Sequence, residues 1–205
     1  MNGKMIVFDG NSILNRAYYG VRPLNTKDGF PTNALFGFVN ILQKKLAPGY
    51  DYAAIAYDLR EKTFRHIRCD TYKATRRPMP EDLAKQLPVS KEIAELMGLH
   101  VLTAAGFEAD DILGTLSRIA KENDVECVIV TGDRDSYQLV CDGVTVHLAA
   151  NNETRIIDTK AIDEMYGLTP SQLIDLKAVM GDSSDNISGV PGIGEKGALE
   201  LMHQY

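Results

Sequence analysis

The chain has 205 residues, of which 44% are hydrophobic and 24% charged, a balance that suits one packed globular domain with a small appendage and excludes a disordered or fibrous polymer. The first apolar run, Met5 to Phe8, is too short for a signal-peptide core, and no stretch approaches the ~20 apolar residues of a membrane span. A net charge of −6 argues against a polyanionic partner unless the acids are concentrated in one place.

Met5 to Phe8 predicts a first strand, and Thr32 to Leu46 follows with helical periodicity. Ala53 to Tyr57 predicts a second strand, Glu81 to Met97 a helix, and Val101 to Thr103 a weaker strand. In the next helix, Ala109 to Lys121, the spacing of Ile112, Leu116 and Ile119 predicts the buried face. Val125 to Thr131 and, more weakly, Val144 to Leu148 complete the alternation. Strands separated by helices predict an α/β fold with a mainly parallel central sheet flanked by helices. A larger unit, residues 1–165, is expected to precede a C-terminal unit, residues 166–205. There Thr169-Pro-Ser-Gln172 combines a capping box with proline at a helix start, and this helix is expected to end at Gly181. Gly189-Val-Pro-Gly-Ile-Gly194 forms a tight turn before a last helix from Glu195 to Tyr205. The three cysteines, Cys69, Cys127 and Cys141, cannot all pair and have no metal-ligand spacing, which predicts a reducing, cytoplasmic setting. Cys127 is expected to be buried, and Phe36, Phe38 and Tyr137 to serve packing.

Acids sit where the strands end. Asp9 follows the first strand, Asp58 the second, and Asp133 with Asp135 the Val125 to Thr131 strand. In an open parallel sheet ligands gather beyond the carboxyl ends of the strands, so these four are expected on one edge. Glu108, Asp110 and Asp111 crowd a helix start, and Asp182 with Asp185 lies in a loop leaving a helix. Each group alone has a plainer reading, as helix caps or as acids favoured by a helix dipole; together they are expected to converge. Converging carboxylates repel one another unless cations compensate, and an all-oxygen set without Cys or His selects hard ions, Mg²⁺ or Mn²⁺. Two such ions can clamp the attacking and leaving oxygens of a phosphodiester. Setting these nine aside from the 28 acids leaves 19 against 22 lysines and arginines, so the rest of the chain is mildly basic.

Two further segments suit a nucleic-acid backbone. Gly192, Gly194 and Lys196 belong to a glycine-rich helix-hairpin-helix pattern that lets backbone N–H groups approach a phosphate; the alternative is an ordinary glycine-capped helix turn. Arg65, Arg68, Lys73, Arg76 and Arg77 surround Tyr72 in a segment with one acid, Asp70, which suits phosphate pairing and base stacking with a single strand; the alternative is a solvated basic face. Lying between the second strand and the helix at Glu81, this region, about residues 62–90, is expected to cover the acidic edge.

Val7-Phe-Asp-Gly-Asn-Ser12, Thr63-Phe-Arg-His66, Tyr72-Lys-Ala-Thr-Arg76, Phe107-Glu-Ala-Asp-Asp-Ile-Leu-Gly114, Thr131-Gly-Asp-Arg-Asp135 and Gly181-Asp-Ser-Ser-Asp-Asn-Ile187 through Lys196 together resemble the 5′ nuclease domain of bacterial DNA polymerase I, within the flap endonuclease family. The resemblance spans nearly the whole chain in family order. It implies a PIN-like fold, a monomer, and a two-metal 5′-3′ exonuclease and flap endonuclease acting on DNA with 5′ flaps, nicks or branches in primer removal and repair. It also implies Asp9, Asp58, Glu108, Asp110, Asp111, Asp133 and Asp135 as metal-site acids, with Asp182 and Asp185 completing a second, looser site. Lys73 and Arg76 match helical-arch residues that engage the scissile phosphate, with Arg65, Tyr72 and Arg77 beside them on the 5′ strand. Gly192, Gly194 and Lys196 match the duplex-binding hairpin, where a K⁺ ion often sits. Ser188 and Gly197 depart from the Pro and Thr more usual there. The chain stops within a helix at Tyr205 whereas the family continues through further helices, which is expected of a fragment, a truncated product or a trimmed chain and leaves open whether a polymerase domain is linked to it. Two rivals are a haloacid-dehalogenase-like phosphatase, which would need an acid where Asn11 stands, and a non-catalytic DNA-binding module, which leaves the nine acids without a role. A related metal-dependent ribonuclease would share the acids and ordinarily lack the hairpin.

Overall fold

The computed structural model of the chain describes residues 2–149 and 154–205. In chain order it runs β1 (Lys4–Asp9), α1 (Gly10–Gly20), α2 (Asn33–Leu46), β2 (Tyr52–Ala56), α3 (Phe64–Arg68), α4 (Glu81–Leu96), β3 (His100–Leu102), α5 (Ala109–Glu122) and β4 (Glu126–Thr131). A 3₁₀ turn at Arg134–Leu139 leads to β5 (Val144–Ala149), β6 (Thr154–Ile157), α6 (Thr159–Tyr166), α7 (Gln172–Met180), the short strands β7 (Gly181–Asp182) and β8 (Ile187–Ser188), and α8 (Glu195–Gln204).

The main sheet has the order β3-β2-β1-β4-β5-β6. Its first five strands are parallel and β6 closes the edge antiparallel. Side chains alternate across the sheet. Ile6, Phe8, Val128 and Val130 face α1, α2 and α4, with Ile13, Leu14, Phe38 and Leu42 packed over them. Val7, Cys127 and Ile129 face the other way, against Leu113 of α5. Leu168, Leu173, Leu176 and Ala198 join that second core, so α7 and α8 share apolar packing with the sheet.

The five expected strands are present within about a residue of their expected ends. Several elements were not expected, among them α1, α3, β6 and α6. Helix α1 opens on Gly10-Asn-Ser, which reads as a loop until Asp9 is seen capping it. Strand β6 is four residues at a sheet edge, too short for visible alternation, and α6 is an eight-residue helix behind it. Two packing expectations are corrected. In α5 the buried residues are Ala109, Leu113, Ser117 and Ala120, whereas Ile112 and Leu116 lie on the flank and Ile119 is exposed. Small residues let this helix lie close on the sheet, which turns the bulkier ones outward. Phe36 is 56% exposed while Phe38 is fully buried.

The segment after α7, expected as a loop, is a two-stranded ladder pairing Gly181 with Ser188 and Asp182 with Ile187. It exists because two backbones touch. A Cβ on Gly181 would lie 2.3 Å from the Gly189 nitrogen, and one on Gly189 would lie 2.3 Å from the Met180 carbonyl carbon. Gly181 also ends α7 at φ +75°, a conformation that favours glycine. Gly189→Ala is therefore expected to destabilise the chain by about 1–3 kcal/mol through overpacking, measured by urea unfolding; an unchanged midpoint would mean that the contact is slack.

Candidate active site

The fold brings the acids to the carboxyl edge of the sheet, where the strand order reverses between β1 and β4. Asp9 ends β1 and is nearly inaccessible to solvent. It accepts the Ser12 N–H at 2.9 Å and the Thr131 hydroxyl at 2.8 Å. Thr131 Oγ1 in turn accepts the Asp133 N–H at 3.0 Å, and Asp133 accepts the Asp135 N–H at 2.9 Å. Asp58 follows β2; its N–H donates to Asn11 Oδ1, and its carboxylate accepts the first N–H of α5, from Ala109, at 2.7 Å. Asp110 stands beside them on the first turn of α5. Capping, offered above as the alternative role for Asp9 and Asp58, is real for both. It leaves lone pairs free on each.

These four, Asp9, Asp58, Asp110 and Asp133, form no ion pair among the described residues. Burial pushes the Asp9 carboxyl up to about 6, with Asp58 and Asp133 adding to the rise, and pushes Asp110 up to about 7, with Asp9, Asp133 and Asp58 adding to it. Such a group holds a proton for want of another cation.

The other five acids are neutralised by the chain itself. Arg65 grips Asp111 with both guanidinium nitrogens at 2.7 and 2.8 Å, which holds that carboxyl below its usual range. Glu108 takes the Lys73 ammonium at 2.8 Å and the Tyr72 hydroxyl at 3.0 Å, and Tyr72 also lies 3.1 Å from Asp185. Arg76 pairs with Asp185. Lys177 of α7 bridges Asp135 at 2.7 Å and Asp182 at 2.6 Å. Asp182, against the upward push of burial, is held down to about 2 by Lys177 and Ser184, whereas burial of Asp135 outweighs the same lysine and raises it. With five acids bridged in this way, no three His, Cys, Asp or Glu side chains among the described residues stand close enough to hold one metal ion as they are. The expected convergence is thus to one edge and not to a closed cage.

Residues 69–76 form a turn docked onto the β7–β8 hairpin. Lys73 N–H donates to the Asp185 carbonyl at 2.8 Å, and the Asn186 side chain donates to the Thr71 carbonyl at 2.8 Å. Of the basic segment, Arg65, Lys73 and Arg76 reach the acids. Tyr72, however, is buried with its hydroxyl between two carboxylates, which raise its pKa further above the phenol range than burial alone, so its ring is not presented for stacking here. Arg77 is exposed. The cleft between this turn, α5 and α7 measures about 460 Å³ and reaches Glu108, Asp110, Asp135 and Asp182. Lys196, its side chain 93% exposed, stands clear of it on α8, and a Cβ on Gly192 or Gly194 would meet nothing within 4 Å. That open backbone is what approach to a phosphate needs.

Lys177 carries no signal in sequence beyond being a lone cation one turn before Gly181-Asp182. Thr131 and Ser12, which orient Asp9 and its neighbours, are equally silent, because ordinary hydroxyls acquire this role only once β1 and β4 are adjacent.

Family models match the chain end to end: the 5′-3′ exonuclease N-terminal resolvase-like domain over residues 4–167 and the 5′-3′ exonuclease C-terminal SAM fold over residues 168–205. The chain belongs to the 5′-3′ exonuclease family. It is 40% identical over 207 residues to DNA polymerase I of Caldicellulosiruptor bescii, covering 98% of this chain and 24% of that protein. It is 38% identical over 205 residues to DNA polymerase I of Bacillus subtilis, covering 98% of this chain and 23% of that one. The chain therefore spans about a quarter of the length of the curated relatives it matches. Among solved structures, the fold resembles the bacteriophage T5 flap endonuclease in a complex with DNA and metal ions, with a TM-score of 0.80 at 22% identity over 98% of this chain and 75% of that one. It also resembles the T5 5′-exonuclease with bound zinc, with a TM-score of 0.79 at 22% identity and the same coverage. This exonuclease-family chain thus has the mainly parallel α/β fold expected for it, and among the described residues no helix is long and apolar enough to cross a membrane.

The raised carboxyls give a pH dependence opposite to the usual carboxylate case. Folded Asp9 and Asp110 bind their protons more tightly than the ordinary value of 3.8 in the unfolded chain. Their contribution to stability is therefore full below about pH 4 and is lost as pH rises through about 6 to 7. With EDTA present, Asp110→Asn is expected to melt above the parent at pH 8 and to match it near pH 4, by differential scanning calorimetry. A melting difference independent of pH would contradict the burial of charge at this position.

Proposed function

We propose that the chain is a structure-specific 5′ nuclease, a 5′-3′ exonuclease and flap endonuclease that hydrolyses phosphodiester bonds in DNA bearing 5′ flaps, nicks or branches. The observation that carries this reading is the set of four acids, Asp9, Asp58, Asp110 and Asp133, gathered at the topological switch point without a basic partner, two of them driven toward protonation. Such a set fits hard divalent ions, Mg²⁺ or Mn²⁺. These four acids would hold a first ion with Glu108 and Asp111 beside them, and Asp135, Asp182 and Asp185 a second. Bound there, the ions would supply charge neutralisation at the phosphate and activation of the attacking water.

The residues of the chain do the remaining work. Lys73 and Arg76 now sit on Glu108 and Asp185, and a substrate phosphate would offer them a competing anion at the same place. Arg65 and Arg77 line the way in for the 5′ strand, and Tyr72, buried, braces the turn through Glu108 and Asp185. Gly192, Gly194 and Lys196 engage the duplex backbone, where K⁺ would be an additional counterion. Residues 1–165 supply the chemistry and residues 166–205 the duplex grip. The molecule acts as a monomer, cytoplasmic and joined to a polymerase in the manner of its DNA polymerase I relatives, in primer removal and repair.

A labelled 5′-flap duplex incubated with the chain is expected to be cut near the junction with Mg²⁺ and left intact with EDTA. Asp110→Asn should lower cleavage by at least about 100-fold, since loss of even outer partners of a metal site costs about 10- to 100-fold. Cleavage that persists in EDTA would overturn the metal mechanism. The basic residues are expected to separate into two kinds. Lys73→Ala and Arg76→Ala should slow single-turnover cleavage at saturating enzyme much more than they weaken duplex binding. Lys196→Ala should weaken binding and lower the log–log salt slope by about 0.9, the release of one counterion. Equal losses of affinity with unchanged cleavage rates would reduce residues 65–77 to an ordinary basic surface.

A further inference from the structure

Outside the acidic edge, α3 exposes a patch that none of the site chemistry uses. Phe107, immediately before Glu108, is 51% exposed, and Ile67 is 78% exposed. The Phe107 ring tilts against Phe64 with centroids 5.7 Å apart. Two arginines lie over the Phe64 ring, Arg65 at 4.6 Å and Arg68 at 5.7 Å from its centroid. The patch is held in place by backbone: Phe64 N–H donates to the Gly106 carbonyl at 3.0 Å, and Phe107 N–H to the Ala104 carbonyl at 3.2 Å. Phe64, Ile67 and Arg68 share one side of α3, at i, i+3 and i+4. Two positions connect this side to the active edge: Arg65 reaches from α3 to Asp111, and Phe107 adjoins Glu108 in the chain.

Exposed apolar side chains gathered in one patch with a polar rim mark an interaction site, and here the rim decides which partner it takes. Arginine guanidinium groups stacked on an aromatic ring pair with phosphate and exclude a basic partner, while the flat ring faces suit a flat apolar ligand. A nucleotide has both parts. We infer that Phe107, backed by Phe64, forms a stacking platform for an unpaired base of the 5′ strand, with Arg68 on its phosphate, one step away from the carboxylates. The inference rests on the 5′-nuclease reading and assigns to this pair the stacking that buried Tyr72 does not offer. Stacking recognises any base face, so the platform would grip single strands without sequence preference.

The test uses 5′-flap duplexes carrying 2-aminopurine at successive flap positions, bound with EDTA present so that nothing is cut. The parent is expected to quench the probe at one or two adjacent positions; Phe107→Ala should abolish the quench and Phe107→Trp keep it. An abasic nucleotide at the sensed position should weaken parent binding by about 5- to 50-fold, within the range of base–aromatic stacking, and cost Phe107→Ala nothing more. Binding to a flapless nicked duplex should be unchanged in all variants. Because Phe107 is half exposed, the alanine variant should melt with the parent; Phe64→Leu, which keeps the helix apolar, gives an independent weakening. No quench at any position, or equal abasic losses in parent and Phe107→Ala, overturns the platform. So does a Phe107-dependent dimer in sedimentation, which would give the patch to a second copy. Quenching without cleavage in Mg²⁺ would instead overturn the nuclease reading, and cleavage without quenching the platform alone.

Discussion

Like charge brought to one edge of a sheet is the constraint on which this molecule is built. β1, β2 and β4 end side by side because their apolar residues must be covered on both faces, and each delivers an acid to the same rim. Burial then denies Asp9, and the adjoining Asp110, the water that would screen them, so counter-charge has to come from elsewhere. The chain provides it for Glu108, Asp111, Asp135, Asp182 and Asp185 through Arg65, Lys73, Arg76 and Lys177. For Asp9, Asp58, Asp110 and Asp133 the described residues provide hydrogen bonds and helix ends but no ion pair. The division between compensated and uncompensated acids is what separates a structural ion-pair network from a site that asks for a metal.

The same pairings tie the C-terminal elements to the sheet. Leu173, Leu176 and Ala198 pack into the core beneath α5, so α7 is fixed relative to β4 by apolar contact before any charge is considered. Lys177 then spans the gap between Asp135 and Asp182, and the turn at 69–76 closes on the β7–β8 hairpin. An ion pair across a rigid interface loses less side-chain entropy than one between mobile partners. The closeness of Gly181 and Gly189 sets where the hairpin, and with it Asp182 and Asp185, meets the rest.

Most of this was legible in the sequence for one reason: the strands are apolar runs with an acid directly after them, and a parallel sheet converts that pattern into position. Asp9, Asp58 and Asp133 could be placed on one edge without coordinates. What escaped has specific causes. The face of α5 was read from its largest residues, yet alanine and serine lie on the sheet because close packing favours small side chains there. Strand β6 is too short to show a period, and α1 starts on residues that usually make loops. Lys177 and the hydroxyl of Thr131 acquire roles only from neighbours distant in sequence. Tyr72 was read as a stacking ring from its basic surroundings, but those bases turn inward to the acids and carry it with them.

That inward turn carries a cost that identifies it as conditional. Lys73 has a φ of +56°, a left-handed conformation that costs a non-glycine residue about 1–2 kcal/mol. It is held there by its N–H bond to the Asp185 carbonyl and by its ammonium on Glu108. The second of these holds rests on Glu108, an acid that the proposed divalent ion would also claim, whereas the first rests on the peptide carbonyl. Under the proposed function, a cation bound at this edge would compete with Lys73 and Arg76 for Glu108 and Asp185. In that case the basic side chains would be available to the substrate phosphate that the proposed function brings there. Counter-charge at the edge and the position of the basic turn are therefore two descriptions of one balance, set by how many positive charges the nine acids can engage at once.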